Sequence, residues 1–539
     1  MDSITLIKQE LYLALSKIGH QISTDEIIIE QSKDAAHGDF ATNVAMQLNR
    51  TLRKNPRHIA AEIVAHIDQS RFERIEVAGP GFINFFMKAE SLAGIIAKII
   101  NQGESYGSSL VGQGISVNVE FVSANPTGAL HLGHARGAAL GDVIARLLSK
   151  AGYQVTKEFY VNDAGAQINN LAQSIYARYV QLFDQVAELP QDGYHGEDIK
   201  NIAADIKKEV GDFYLGHYDE AFFKAEGIKR ELAIIKDDLS FFRVEFDKFS
   251  YETSIRTPES IDRVFIRLAP HIYEHEGATF LKTTEYGDDK DRVIVKSDGT
   301  FTYFLPDIAY HLDKIERGHR HLIDILGADH HGYISRMKAA LAMLGHPLDT
   351  LDIEILQMVR LIKDGQEMKM SKRTGVGVTL RELCQEVGVD AARYFFVARA
   401  ASSHLDFDLD LAVSASSANP VYYAQYAHAR LSSLLEAGAE IGFDDSGVGL
   451  DTIEEKQLLR HLESFEAEVV EAANARAPYK ITNYVQKLAS LTHSFYTICR
   501  VVDKENISLS KSRLALVRAS RIVMANALAL LGVSAPVKM

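Results

Sequence analysis

The sequence predicts a multidomain α/β protein, and three observations predict it: its length, a central region in which strands alternate with helices, and a change to helical periodicity toward the C-terminus. At 539 residues the chain exceeds what one core usually organises, so several domains are expected. Apolar residues make up 47% and charged residues 24%, an ordinary globular composition.

Residues 1–110 read as a small α+β unit. An amphipathic helix in LIKQELYLALSKI is followed by a strand at IIIE, a loop at QSKDAAHGDF, helices around ATNVAMQLNRTLR and after Pro56, and then strand, turn and strand in IEVAGPGFINFFM. In residues 111–375 the segments ISVNVEFVSAN, YQVTKEFYVND, RVIVKSDGTFTYF, HLIDILGADH and LDIEILQMVRLI are strand-like, with helical stretches among them. That alternation predicts a Rossmann-like parallel sheet. The charged helical stretch from about 185 to 280 is expected to be an insertion rather than sheet, and residues 376–539 an all-α domain.

Cys384 and Cys499 lie far apart and neither belongs to a Cys-x-x-Cys, so neither a disulfide scaffold nor a structural zinc is expected. The N-terminus mixes charges into its helical pattern instead of forming an apolar signal core, and IVMANALALLGVSAPV is too short to span a bilayer. A soluble cytoplasmic protein without a membrane partner is the expectation. The net charge of −14 would disfavour a polyanionic partner if it were evenly spread. From Ala472 to Met539, however, ten Lys or Arg face only Asp503 and Glu505, and binding depends on such local patches.

His131-Leu132-Gly133-His134 stands where a buried strand gives way to a helix. A helix N-terminus presents free N–H groups and the positive end of a dipole, so two histidines there suit phosphate oxygens, and Gly133 admits a flat ring close to the backbone. Alone, the motif is equally a pair of surface histidines capping a helix. Lys369-Met370-Ser371-Lys372-Arg373, before the Gly-containing TGVGV, places three cations on a loop. Such a run is often only a solvated surface, but beside a triphosphate it would stabilise charge developing as pyrophosphate leaves.

Together, HxGH after the first strand of the α/β region and KMSK after its last strand resemble the two signatures of class I aminoacyl-tRNA synthetases. VEFVSANPTGALHLGHARGAALGD, VNDAGAQ, DILGADHHGY and DAARYFF are similar to the arginyl-tRNA synthetase family of the bacterial type. So are HGDFATNVAM and VAGPGFINFF near the start, and NPVYYAQYAHAR and the terminal LLGVSAPVKM. The resemblance implies a class I catalytic domain between a D-loop-binding N-terminal domain and a helical anticodon-binding domain. Its partners would be L-arginine, ATP bringing Mg2+ with it, and tRNA(Arg), and the chain is expected to be a monomer.

The resemblance also implies site residues. His131, His134, Lys369 and Lys372 would be catalytic, with Gly133, Asp329, Met370 and Ser371 completing the ATP contacts. Glu120 and Asp307 would meet the guanidinium, which has five donors and no acceptor. Tyr303 would add a hydroxyl, while Ser123, Asn125, His131 and His330 would hold the ammonium and carboxylate ends. Glu120 and Asp307 also read as ordinary salt-bridged carboxylates, and Tyr303 as a core aromatic. Many arginyl enzymes carry a lysine just before HxGH and lack the second KMSK lysine; here Gly128 stands at the first position and Lys372 at the second.

For tRNA, Phe82 is expected to stack on a splayed D-loop base and Asn84 to read its edge, with a core role as the alternative for Phe82. Tyr422, Tyr426, Tyr479, Arg513 and Arg521 are expected toward the anticodon, in a tail where Lys480, Tyr484, Lys487, Arg500, Lys511 and Arg518 also interleave cations with aromatics. Some of these are expected to be plain solvated helix faces. The alternatives are another class I synthetase and a non-catalytic tRNA-binding paralogue.

Overall fold

The computed structural model describes residues 3–32, 37–328, 332–368 and 377–539. Near the N-terminus β1 (Glu30–Gln31), β2 (Phe40–Thr42), β3 (Phe72–Ala78) and β4 (Phe82–Met87) form an antiparallel sheet in the order β1-β2-β4-β3. The helix Pro56–His66 packs on β3 and β4 and the helix Ser3–Lys17 packs on that helix, burying Ile7, Leu11, Ile59 and Ile63. The second helix begins as its sequence dictates: Pro56 occupies the first turn, where no N–H is needed, and the Asn55 side chain accepts from the Arg57 N–H at 2.9 Å.

The middle of the chain contributes β5 (Ser116–Glu120), β6 (Gln154–Val161), β7 (Lys248–Tyr251), β8 (Ile272–His275), β9 (Ala278–Leu281), β10 (Arg292–Val295), β11 (His321–Gly327) and β12 (Leu351–Leu356). Five of these make one parallel sheet in the order β12-β11-β5-β6-β7. The chain winds from β5 toward β6 and β7 on one side and later occupies β11 and β12 on the other. A crevice therefore opens beyond the carboxyl ends of β5 and β11, where ligands collect in such sheets.

The helix Leu132–Lys150 leaves this crevice and is buried on most of its surface, between the sheet and the C-terminal helices. Gly141 permits the close approach: a Cβ there would lie 2.2 Å from the Phe121 ring. After the sheet, β13 (Val359–Lys363), β14 (Gln366–Met368) and β15 (Leu405–Asp408) form a small sheet. The helices Pro420–Ala437, Ile453–Glu463, Phe465–Asn474, Tyr479–Ile498 and Ile507–Leu531 then bundle together. The last is long and apolar enough to cross a membrane by composition, but it is mostly buried in the bundle, with Leu514, Val517, Met524 and Leu528 in the core.

The structure differs from the sequence expectation in three regions. The stretch read as a helical insertion does hold the helices Glu197–Val210 and Glu220–Phe241, yet it also supplies β7, the edge strand of the parallel sheet, and the β8–β9 hairpin. RVIV forms β10 against β9, outside the parallel sheet. β15 interrupts the region expected to be all-helical. β7 and β15 are four-residue edge strands, too short to show the apolar run of a central strand.

Candidate active site

β5 ends at Glu120, and the chain turns through Val122 and Ser123 with φ of 68° and 41°. Non-glycine residues held in this region cost of order 1–3 kcal/mol each, and such strain gathers where geometry matters. The turn leads to His131, which caps the Leu132–Lys150 helix. His131 Nδ1 accepts from the Gly133 N–H at 3.0 Å, and His134 Nδ1 accepts from the His131 N–H at 3.3 Å. With each Nδ1 acting as acceptor, each ring carries its proton on Nε2. The rings stack 3.7 Å apart. A Cβ at position 133 would lie 3.0 Å from the His131 ring, which explains the glycine between them.

Burial lowers the His131 pKa, and burial together with the charge on His131 takes His134 down to about 4. Both imidazoles are therefore neutral at pH 7. They are suited to donating Nε2–H bonds beside the unsatisfied N–H groups of the helix start, an arrangement that favours phosphate.

A cleft of about 760 Å³ opens here, lined by Ser123, His131, His134, Ala328, Gln357, Met368 and Gly377 among others. Its far wall is tied to the histidine turn by the Leu380 N–H donating to Leu130 O at 2.7 Å and by a bridge between His131 and Thr379. Below it Arg136 is buried, donating to Gln357 O at 2.7 Å and Ala400 O at 2.9 Å. Asp329, His330, Lys369, Met370, Ser371 and Lys372 lie outside the described residues. Ala328, Met368 and Gly377, which flank those two segments, line the cleft.

Beside this cleft a second hollow of about 660 Å³ is lined by Asn125, Asn162, Gln167, Glu252, Arg256 and Tyr303. Asn125 donates to Gln167 Oε1. Tyr303 is 79% exposed, with the Arg256 guanidinium 5.5 Å from its ring centre, which rules out the core role. Asp307 lies one turn further along the Phe304–Glu316 helix. Burial raises its pKa to about 6, although His311 and Arg256 pull the other way. Glu120 is engaged from two sides: its Oε1 accepts from Ser123 Oγ at 2.9 Å and its Oε2 from Lys314 Nζ. The salt-bridged alternative thus describes part of Glu120's environment.

The tRNA expectations meet mixed surroundings. Phe82 is 36% exposed, but Asn84 is only 4% exposed, because it sits in the central strand of its sheet between Ala41 and Glu76; the expectation of an amide presented to solvent is not met. Tyr422 and Tyr426 stack at 6.3 Å, and Tyr426 continues onto His493 at 5.8 Å. Tyr479 is half-buried. Tyr484 is a core residue whose hydroxyl donates to His461 O at 2.7 Å. Arg513 is held by the buried Glu455 at 2.7 Å, so its guanidinium is not the free cation expected. Arg521 instead lines a hollow with Arg518 and Phe443, without an ionic partner among the described residues.

Sequence reasoning passed over Lys314, His311, Arg136 and Arg256. The readable signal for the first two was the spacing of Asp307, His311 and Lys314 along one face of a helix.

Three family models match the chain. The arginyl tRNA synthetase N terminal domain covers residues 5–87, the class I (R) tRNA synthetase catalytic domain 95–432, and the DALR anticodon binding domain 424–539. The chain is 51% identical to the arginine--tRNA ligase of Bacillus licheniformis, over 99% of this chain and 98% of that protein. It is 50% identical to the same-named protein of Bacillus subtilis, again over 99% and 98%. The fold matches Thermus thermophilus arginyl-tRNA synthetase with a TM-score of 0.78 over the whole of both chains, at 22% identity. The catalytic-domain model covers more than half of the chain and the Bacillus relatives match it almost end to end, so the chain belongs to the arginyl-tRNA synthetase family.

Proposed function

We propose that this protein activates L-arginine with ATP and then transfers it to the 3′-terminal adenosine of tRNA(Arg). The observation that carries the reading is the presence, around the carboxyl end of β5, of two neutral Nε2–H donors from His131 and His134 and of the carboxylates of Glu120 and Asp307. The first group suits a triphosphate and the second a guanidinium.

In the first step an oxygen of the arginine carboxylate forms a bond to the α-phosphorus, the bond to the bridging oxygen breaks, and pyrophosphate leaves. His131 and His134 donate to phosphate oxygens as charge grows there, and Lys369 and Lys372 are assigned the same task from sequence. Magnesium arrives on the triphosphate as part of the substrate. Gly133, Asp329, Met370 and Ser371 complete the ATP contacts, while Ser123, Asn125, Tyr303 and His330 hold the amino acid. In the second step a ribose hydroxyl of the tRNA attacks the arginyl carbonyl and AMP leaves.

Residues 1–110 are assigned to the D-loop, with Phe82 as the stacking residue. Residues 111–375 are assigned to catalysis and 376–539 to the anticodon stem and loop, near Tyr422, Tyr426 and Tyr479. We assign the protein to the cytoplasm as a monomer. ATP–pyrophosphate exchange with each of the twenty amino acids, with and without tRNA, tests the reading. Arginine alone should support exchange, and exchange with any other amino acid in its place would overturn the assignment.

A further inference from the structure

The parallel sheet aligns three acids in one row. Glu158 on β6, Glu120 on β5 and Asp324 on β11 are register partners across adjacent strands, so their side chains leave the same face of the sheet, and all three are buried. Like charges side by side on a sheet repel, and more strongly away from water, so the row needs matching cations.

One helix and the residue just after it supply them. Arg317 donates to both Glu158 oxygens at 2.7 and 2.9 Å. Lys314, fully buried, bridges Glu120 Oε2 and Asp324 Oδ1, the latter at 2.9 Å. His311 Nε2 meets Asp324 Oδ2 at 2.7 Å while its Nδ1 meets the Asp307 carbonyl at 2.8 Å. Both ring nitrogens of His311 face acceptors, so the ring carries two protons. Three carboxylates thus meet three cations.

Stability alone does not call for this arrangement, since matched buried charges can often be replaced by apolar residues at little cost. Its position suggests another use. Glu120 is the last residue of β5, at the mouth of the site, with Ser123 fixing one oxygen and Lys314 the other. The Tyr310 hydroxyl, which donates to Glu158, also reaches Glu120; a carboxylate has about four acceptor positions, so room remains for a planar donor. Asp307, the second acid of the site, lies on the same helix one turn before His311, with the cations Arg256 and Arg336 nearby and Arg256 itself paired to Glu252.

We propose that Lys314 is a positioning and specificity-determining residue for the amino-acid substrate: by bridging Glu120 and Asp324 it holds Glu120 as an oriented anionic acceptor for the arginine guanidinium. The inference rests on the proposed arginine specificity and concerns a residue that acts through Glu120 without touching the substrate.

The test is arginylation of tRNA by the full-length chain, comparing wild type with Lys314→Met and with the double variant Lys314→Met/Asp324→Asn. Without Lys314 two neighbouring buried carboxylates lack their shared cation and take up a proton, which arginine must displace to bind. For the single variant, arginine KM should rise about 100-fold at pH 7 and fall as pH is raised, with ATP KM within twofold of wild type. For the double variant, which removes one charge of each sign and serves if the single variant does not fold, the rise should be about tenfold with a weaker pH dependence. A folded variant whose arginine KM stays within twofold of wild type would overturn the proposal. So would parallel rises in the arginine and ATP constants without pH dependence, the mark of a merely structural role. If wild type itself charges tRNA with a different amino acid, the functional assignment fails first, and with it the basis for this one.

Discussion

The centre of the parallel sheet and the C-terminal helices both gather charge, and they handle it in opposite ways. In the sheet the buried row of Glu158, Glu120 and Asp324 on the three central strands is matched by Arg317, Lys314 and His311, and the groups suited to phosphate, His131 and His134, are neutral. In the tail some cations are consumed by internal acids: Arg476 by Asp352 and Glu354, Lys480 by Glu471, Arg513 by Glu455. Arg518 and Arg521 have no ionic partner among the described residues. An unpaired charge costs several kcal/mol in the interior and little at a screened surface. A surface can therefore keep cations in reserve for a polyanion, whereas a buried site must be balanced before its ligand arrives.

Asp307 offers the sharpest way to break this contrast, because it is the site acid that burial leaves poorly compensated. Asp307→Asn should cost about 2–5 kcal/mol in kcat/KM for arginine, the scale for losing one partner of a buried ion pair, with ATP KM nearly unchanged. Stability should move the other way. The folded state raises the Asp307 pKa from 3.8 to about 6, so the folded protein binds the proton more tightly than the unfolded chain. The resulting stability is fully present below about pH 4 and is lost as pH rises through 6. Asparagine cannot ionise, so the variant's Tm relative to wild type should be higher at pH 8 than at pH 4. In wild type, kcat/KM for arginine should fall below about pH 6. Near-normal arginine use by the variant would remove Asp307 from the substrate site.

On the phosphate side, His134→Ala should lower kcat by roughly 10²–10³-fold, the scale for one donor to developing charge. His134→Gln, which keeps an N–H near the Nε2 position, should lose less. Because His134 is already neutral, with a pKa near 4, kcat should show no ionisation of this residue between pH 6 and 8. A titration in that range that disappears in the Ala variant would show that the resting enzyme uses a charged histidine, and the contrast between neutral site and cationic tail would fail.

What the sequence made legible follows the same division. The histidine turn is local, with cap, glycine and ring stacking all falling within His131–His134, so four adjacent residues carry the signal. The central strands are legible because both of their faces are buried, which writes nearly continuous apolar runs such as VNVEFV. The acid row is illegible because only strand register brings Glu158, Glu120 and Asp324 together, and nothing in three separate segments announces that register. The spacing of His311, Lys314 and Arg317 could equally mark the solvated side of an amphipathic helix. In the tail, interleaved cations and aromatics did not separate Arg513 from Arg521, because the acid that captures Arg513 comes from another helix.

Arg513 and Arg521 turn that last ambiguity into the finest test. Arg513→Ala leaves Glu455 buried without its cation and should cost about 3 kcal/mol of stability, while the tRNA affinity of the folded fraction stays near wild type. Arg521→Ala breaks no ion pair, so Tm should change little. If Arg521 meets a tRNA phosphate, affinity at low salt should fall by about 3–10-fold, and the slope of log K against log salt should become shallower by about 0.7–0.9, the contribution of one phosphate contact. The slope discriminates better than the affinity, because a packing defect weakens binding equally at all salt concentrations, whereas a lost phosphate contact matters less as salt rises. A shallower slope for Arg513→Ala with none for Arg521→Ala would mean that tRNA draws Arg513 away from Glu455, and the division between engaged and available cations would have to be redrawn for the complex.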